Sequence, residues 1–529
     1  MAGQIHPSRQ AYVEESHEAD TSIDLARLPT DNNYSIPSLA AGVPSQQSSV
    51  LLDEFARKRK AAQIAVPTDD LRVRAELRAR GEPITLFGEK REDRRDRLRE
   101  ILFAVQEGAD DDDSMLEGDE DEEDEEVPTE FFTKGSEELR KSRQDILKFS
   151  IPRANQRVAF QKAESTISVQ THVQHRHAIK QNLGAFELFG SQIACGRAVS
   201  AVRFHPKGEL LAVGDWTGSV QLLNVPNLDT KMVLRGHRAM IGGLAWHPDA
   251  DITSTPSPGT ISLASSGGQG DNDIHLWSLA QDTPVATLSG HSGRVCKIEF
   301  HPSGKYLASA SYDTTWRLWD VATTTELLSQ EGHSREVYAV GFQSDGSLIA
   351  TAGLDSIGRV WDLRTGKAIM VLEGHAQPIY GLDWNPDGFR IATGSVDGFA
   401  KVWDVRAVRE SASIGANVGG VTEVRWFKGS DGPSMAASPL KRDSVMNGDS
   451  SHDTEDEYIP KKSGTFLVSG GFDKAVNVFS SDDWALCKSL TGHDGAVLSA
   501  DISTDAQWIA SCGRDRTVKL WASDMAGGI

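Results

Sequence analysis

The residues most suggestive of chemistry in this 529-residue chain are a histidine, a hydroxyl and a carboxylate that recur together. His291, Ser309 and Asp313, followed by Trp319, offer the residue types of a nucleophilic triad. In such a triad an imidazole takes the hydroxyl proton and a carboxylate orients the imidazole. The same order and spacing return as His333, Thr351, Asp355, Trp361, as His375, Thr393, Asp397, Trp403, and as His493, Ser511, Asp515, Trp521. A reaction centre needs one constellation, whereas a fold made of repeated units needs one per unit. Repetition therefore favours a structural role. The carboxylate accepts from the imidazole, the imidazole bonds the hydroxyl, and the hydroxyl meets the indole N–H, so that buried polar groups are satisfied in each unit. No phosphate-binding GxxxxGK, HExxH, GxSxG or kinase motif set accompanies them. Cys195, Cys296, Cys487 and Cys512 are scattered with no CxxC pair, which excludes a disulfide scaffold and the usual structural zinc spacings and fits a reducing compartment. They read as small core residues. The expectation is a chain with no enzymatic activity, cofactor, metal or small-molecule substrate.

The elements that hold these residues are repeats. Gly-His recurs at Gly236-His237, Gly290-His291, Gly332-His333, Gly374-His375 and Gly492-His493, and His291, His333 and His375 are 42 residues apart. One more step reaches Asn417, and one step back from His237 reaches Cys195, both in the flanking pattern without the histidine. The longer gaps leave a 12-residue surplus around Asp249–Thr260 and a polar 34-residue surplus at 429–462. Seven repeats fit. Within each, short β-branched and aromatic runs alternate with turn residues (VYAVGF, SDG, SLIATAGLD, GRVWDL), four strands in about 40–45 residues. Over Phe186 to Ile529 the chain resembles WD-repeat proteins. The expected fold is mainly β, a seven-bladed WD-repeat β-propeller with a small α-helical N-terminal module. Blade 1 (Cys195, Thr217, Leu223), blade 2 (Gly267 at the hydroxyl position) and blade 6 (Asn417, Ser469, Asp473, Phe479) read as degraded and more reliant on apolar packing. The last repeat has no outer strand of its own, so Phe186–Ile193 is expected to pair with the last blade and remove an exposed edge.

Charge sets the N-terminal third apart. The chain has a net charge of −21, and Glu107–Glu126 holds 14 acidic and no basic residues, leaving −7 for the remainder. No apolar run approaches the roughly 20 residues of a membrane span, and the first residues lack a secretory h-region. Residues 1–50 read as a disordered tail, 51–106 as a basic helical module, 107–128 as an acidic linker, 129–185 as a basic helical linker, and 186–529 as the propeller. Arg57-Lys58-Arg59-Lys60 has the composition of a nuclear-import signal. A helix is expected to start at Thr68-Asp69-Asp70 and end at Gly81 before Pro83. A second, from about Arg91 to Val105, carries Leu98, Ile101, Leu102 and Val105 on one face and Arg91, Arg94, Arg95, Arg97 and Arg99 on the other. From Lys134 to Asn182 ten basic residues face four acidic ones, with Arg140, Lys141 and Arg143 close together. Such cations suit phosphate contacts of the salt-dependent, sequence-independent kind. The alternatives are a solvated helical linker or one docked on protein. No base-reading module is present.

Between the two expected helices, Arg78-Ala79-Arg80-Gly81-Glu82-Pro83-Ile84-Thr85-Leu86-Phe87-Gly88-Glu89 resembles the splicing factor motif, with Ile84, Leu86 and Phe87 unusually apolar for a linker. This motif joined to a WD propeller is similar to the WD-repeat proteins of the U4/U6 small nuclear ribonucleoprotein, part of the spliceosomal tri-snRNP. The resemblance implies a nuclear scaffold with three kinds of partner: a second large U4/U6 splicing protein, a cyclophilin-type prolyl isomerase, and the paired U4 and U6 RNAs. The candidate partner and RNA contacts are Arg78, Arg80, Ile84, Leu86, Phe87, Arg91, Arg94, Arg95, Arg97, Arg140, Lys141 and Arg143. A WD-repeat adaptor of a ubiquitin ligase or chromatin complex explains the propeller equally well but leaves the apolar turn at Ile84–Phe87 without a role.

Overall fold

A computed structural model of the chain describes residues 66–67, 70–80, 91, 93–99, 101–102, 135–250, 259–433 and 459–523. The expected tail 1–50, the Arg57–Lys60 cluster, Ile84, Leu86, Phe87, the acidic linker 107–128 and most of the 429–462 insertion lie outside them. The chain divides into Met1–Arg57 and Lys58–Ile529, and everything described belongs to the second unit.

Seven four-stranded antiparallel sheets form the blades of a propeller. Blades 1 to 6 run Val199–Arg235, Ile241–Leu288, Val295–Gln330, Val337–Leu372, Ile379–Gly415 and Val421–Thr491. In blade 7 the order is Phe186–Ile193, Thr517–Ser523, Trp508–Gly513, Val497–Ile502, so the earliest strand is outermost in the last blade. Its register matches Phe186 to Ser523 and Ile193 to Thr517, and the ring closes as expected. The second strand of blades 2, 3 and 4 is rich in small residues (LASSG, YLASAS, LIATAG) and is buried along its whole length. That composition lets neighbouring blades pack face to face on both of its sides.

A bulge falls at the same place in the innermost strand of six blades, between the first and third residues. It leaves the second residue unpaired and re-aimed. Those residues are Ser200, Cys296, Tyr338, Tyr380, Thr422 and Leu498, and all six line one mouth of the central channel.

Three helices are continuous among the described residues: α1 (Asp70–Ala79), α2 (Glu137–Glu164) and α3 (Val169–Gly184). Further helical residues at 91, 93–99 and 101–102 form the arginine-rich helix. Leu98 packs with Val66, Val73 and Leu77 in a small cluster of its own. The side chains of Ser136 and Ser168 cap α2 and α3, accepting from the amides of Leu139 and Thr171. Leu139 and Ile146 of α2 pack with Tyr306, Leu328 and Trp361 of blades 3 and 4. Ile179 and Leu183 of α3 pack with Phe427 and Phe466 of blade 6 and Ile502 of blade 7. The basic linker is thus two helices laid on the propeller.

Candidate functional site

The recurring triads are internal. His291 Nδ1 lies 2.7 Å from Asp313, its Nε2 lies 2.7 Å from Ser309 Oγ, and Trp319 Nε1 donates to the same oxygen at 2.8 Å. Blade 4 repeats this with His333, Asp355, Thr351 and Trp361 at 2.9, 2.8 and 2.9 Å. Blade 5 does so with His375, Asp397, Thr393 and Trp403 at 2.9, 2.8 and 2.8 Å. Blade 7 does so with His493, Asp515, Ser511 and Trp521 at 2.7, 2.7 and 2.8 Å. The loop before the innermost strand supplies the histidine, the second strand the hydroxyl, the following turn the aspartate and the third strand the tryptophan. All four hydroxyl residues are completely buried. Burial pushes the Asp313 carboxyl up, but the His291 hydrogen bond and charge and the Thr315 contacts outweigh it and hold Asp313 at about 2. Asp355, Asp397 and Asp515 move in the same direction for the same reasons.

Of the blades expected to be degraded, blade 2 is intact and blade 6 keeps part of its network. In blade 2, His237 reaches Asp271 at 2.9 Å and Ser265 at 2.8 Å, and Trp277 donates to Ser265 at 2.7 Å. Counting ten residues back from Trp277, as in the other blades, lands on Gly267, but the turn from Ser265 to Asp271 is two residues longer here. The hydroxyl is Ser265. In blade 6 Asn417 stands in for the imidazole: its amide donates to Asp473 at 2.9 Å and its carbonyl oxygen accepts from Ser469 at 2.7 Å. Only the indole bond is missing, since Phe479 has no N–H. Blade 1 departs furthest. Asp215 accepts from Thr217 and Ser219, and the buried Cys195 thiol beside it is pushed up to about 12 by desolvation and that carboxylate.

The cations expected to face partners divide sharply. Arg94 and Arg95 are 4% and 8% exposed, and Arg94 pairs with Asp70 of α1. The arginine-rich face of the second helix is therefore turned in large part toward the chain's own α1 and propeller. Arg99 is buried too, its basicity lowered by desolvation despite Asp96 and Asp355 nearby. On α2 and α3, Arg157 holds Asp345 at 2.8 Å, Arg176 lies 3.4 Å from Asp482, and Lys180 holds Asp483 at 2.6 Å. Arg143 is half-buried, its basicity lowered by desolvation despite Asp362. Arg97 is half-buried, Arg80 pairs with Glu76 at 3.3 Å, and Arg78, Arg91, Arg140 and Lys141 remain exposed.

Two features escape a reading by motif. The first is a charged ring inside the channel, on the third and fifth residues of innermost strands. Glu423 accepts from Lys297 and from Arg203 at 3.2 Å and is ion-paired with Arg425 at 3.2 Å, joining blades 6, 3 and 1. Burial opposes its ionisation, but these three cations hold it at about 2. Burial brings Lys297 down to about 8 despite Glu423. Asp501, Glu299 and Asp383 each accept a backbone N–H of a neighbouring blade, from Phe204 at 2.7 Å, Phe342 at 3.2 Å and Trp426 at 2.8 Å. The second feature is the channel mouth, where Trp216, Tyr312, Phe472 and Arg514 each directly follow or precede a blade's turn aspartate and line the opening with the bulged residues.

Among the described residues, His237, Asp271 and His275 bring ligand atoms within 4.8 Å of one another. Both His237 nitrogens already bond Asp271 and Ser265, while His275 bonds Thr287 at 3.0 Å and the Gly236 backbone. The set is part of the blade-2 network rather than an open coordination site.

Residues 73–101 match a family model described as pre-mRNA processing factor 4 (PRP4) like. Residues 190–224, 229–278, 282–320, 324–362, 366–404 and 484–522 match the WD domain, G-beta repeat. The U4/U6 small nuclear ribonucleoprotein PRP4 of Saccharomyces cerevisiae is 39% identical over 506 residues, 94% of this chain and 99% of that one. The U4/U6 small nuclear ribonucleoprotein Prp4 of Homo sapiens is 38% identical over 40% of this chain and 41% of its own length. An uncharacterized WD repeat-containing protein of Schizosaccharomyces pombe is 36% identical over 51% of this chain and 56% of its own length.

Proposed function

The chain belongs to the U4/U6 small nuclear ribonucleoprotein Prp4 family, and we propose that it is a non-catalytic scaffold of the U4/U6 and U4/U6.U5 particles in nuclear pre-mRNA splicing. The observation that carries this is the 73–101 match lying beside a closed propeller in one chain, together with near end-to-end similarity to a protein of that name. A rigid ring with its histidines, hydroxyls and aspartates engaged in internal bonds suits gripping other molecules. Its partners would be splicing proteins of the U4/U6 particle, a cyclophilin-type prolyl isomerase, and U4/U6 RNA met without sequence specificity. Arg78, Arg91, Arg140 and Lys141, exposed in this fold, are the cations best placed for phosphates, and Ile84, Leu86 and Phe87 would by their apolar character suit a partner surface. The basic module at 51–106 and the linker at 129–185 would tie the propeller at 186–529 to RNA-bearing partners, holding the particle together until other proteins unwind the RNAs. An adaptor of a ubiquitin ligase or chromatin complex leaves the 73–101 match without a role. Depleting the chain from cells and sedimenting an extract tests the proposal. The expected result is loss of U4/U6 complexes with accumulation of unspliced pre-mRNA, and unchanged sedimentation and splicing would overturn it.

A further inference from the structure

We propose that one mouth of the central channel is a binding site for a single unpaired RNA nucleotide, the base stacking on its aromatic rings and the phosphate meeting its arginines. The inference rests on the ribonucleoprotein reading for its ligand and on the channel's own geometry for its place. The cavity there has a volume of about 280 Å³, at the lower end of small-ligand pockets. It has room for one base and excludes a duplex. Five flat rings line it: Trp216, Tyr312, Tyr338, Tyr380 and Phe472. Tyr338 and Tyr380 lie 4.6 Å apart, and Tyr380 and Phe472 6.3 Å.

The charge of the lining is one-sided. Among the described residues, Arg294, Lys297 and Arg514 belong to it and no carboxylate does, and with Lys297 held by Glu423 the two arginines carry the charge, in a chain whose net charge is −21. Arg294 stacks over Tyr312 at 3.7 Å, and Arg514 lies 5.9 Å from the Trp216 ring centre. Layered guanidinium and aromatic planes are the surfaces on which unpaired bases stack irrespective of sequence. A carboxylate-bearing peptide would use the cations but not five rings. Tyr312 also lines an adjoining groove of about 750 Å³ with Arg74, Arg91 and Arg95. The two carboxylates of that groove are already engaged, Asp70 by Arg74 and Arg94 and Asp313 by His291. A strand leaving the mouth past Tyr312 would meet Arg91, the exposed one of the three. The bulges explain why the site exists in the fold, since they turn Tyr338 and Tyr380 out of their ladders toward the opening.

The test uses the full chain and a fluorescent six-residue oligouridylate, with a hairpin duplex for comparison. Anisotropy should show binding of the oligouridylate, weakened about tenfold by Tyr312→Ala and again by Arg294→Gln, with duplex binding unchanged. Ultraviolet crosslinking of the unaltered chain should map to Tyr312, Tyr338 or Tyr380, a readout independent of variant folding. Equal oligouridylate affinity in the variants, crosslinks confined elsewhere, or displacement only by an acidic aromatic peptide would overturn the inference. U4 and U6 RNA recovered with the unaltered chain, alongside oligouridylate binding insensitive to both variants, would sink this site and leave the scaffold reading standing. Site-dependent oligouridylate binding without U4 or U6 recovery would do the reverse.

Discussion

Alanine at two equivalent serines separates the effect of the full bonded tetrad from that of simply losing a buried hydroxyl. Ser309 is completely buried between His291 Nε2 at 2.7 Å and Trp319 Nε1 at 2.8 Å. Ser309→Ala leaves both without a partner. An orphaned buried polar group costs about 1–3 kcal/mol, which puts the loss for two at about 2–6 kcal/mol. Ser469 holds the same place in blade 6 and is equally buried, but bonds only Asn417 Oδ1 at 2.7 Å. Ser469→Ala should therefore cost about 1–3 kcal/mol, half as much. The two changes delete the same atom from matching strands, so their difference reports the indole bond together with the exchange of an imidazole for an amide. With an unfolding entropy of about 2 cal/mol/K per residue, a ring melting as a unit should lose about 3–8 °C with Ser309→Ala and about 1–4 °C with Ser469→Ala. Thermal unfolding of the full chain, repeated in urea to obtain the free energies, reads both. Equal losses, or no loss at Ser309, would refute the bonded-chain account of these residues.

Glu423→Gln should be severe, about 3–5 kcal/mol, because Arg203, Lys297 and Arg425 would be left buried with no carboxylate between them; denaturation showing under about 1 kcal/mol would contradict a structural role for the charged ring. Stability should fall in two stages on acidification. His301, buried against Phe149, Phe342 and Tyr306, is lowered by desolvation to about 4 from 6.5, so the unfolded chain binds the proton first and stability present above pH 6.5 is lost toward pH 4. Glu423 and Asp313, each at about 2 against ordinary values of 4.5 and 3.8, give stability that is lost between those values and pH 2; a melting temperature flat from pH 7 to 4 would sink the His301 assignment. Deleting Asp110–Glu126 should raise nonspecific RNA affinity at low salt if this acidic run masks the neighbouring arginines, and filter binding that shows no change would count against such masking.

The ring was legible because its units repeat: a 42-residue step and a strand lacking a partner at each end of the propeller were enough to place seven blades and their closure. The tetrads are legible wherever the turn has standard length, and blade 2 departs because two added residues between Ser265 and Asp271 shift a count made from Trp277. Charge was read less well. Arg94 and Asp70 are 24 residues apart and Arg157 and Asp345 are 188 apart, so no local pattern marks those arginines as docked rather than solvated. The channel charges look like the polar half of ordinary alternating strands, since period two assigns a residue to a face but not to the axis of a ring. The mouth had a faint register signal, the residue beside each turn aspartate, which only the assembled blades turn into a surface.

The central claim is that this chain assembles with the U4/U6 particle and carries out no reaction of its own. Affinity purification of the tagged full chain under native salt, followed by sequencing of the bound RNA and mass spectrometry of the bound proteins, tests it most directly. The account predicts U4 and U6 RNA enriched together with splicing proteins. Recovery of ubiquitin-ligase or chromatin subunits without those RNAs, or of a catalytically active monomer, would contradict it.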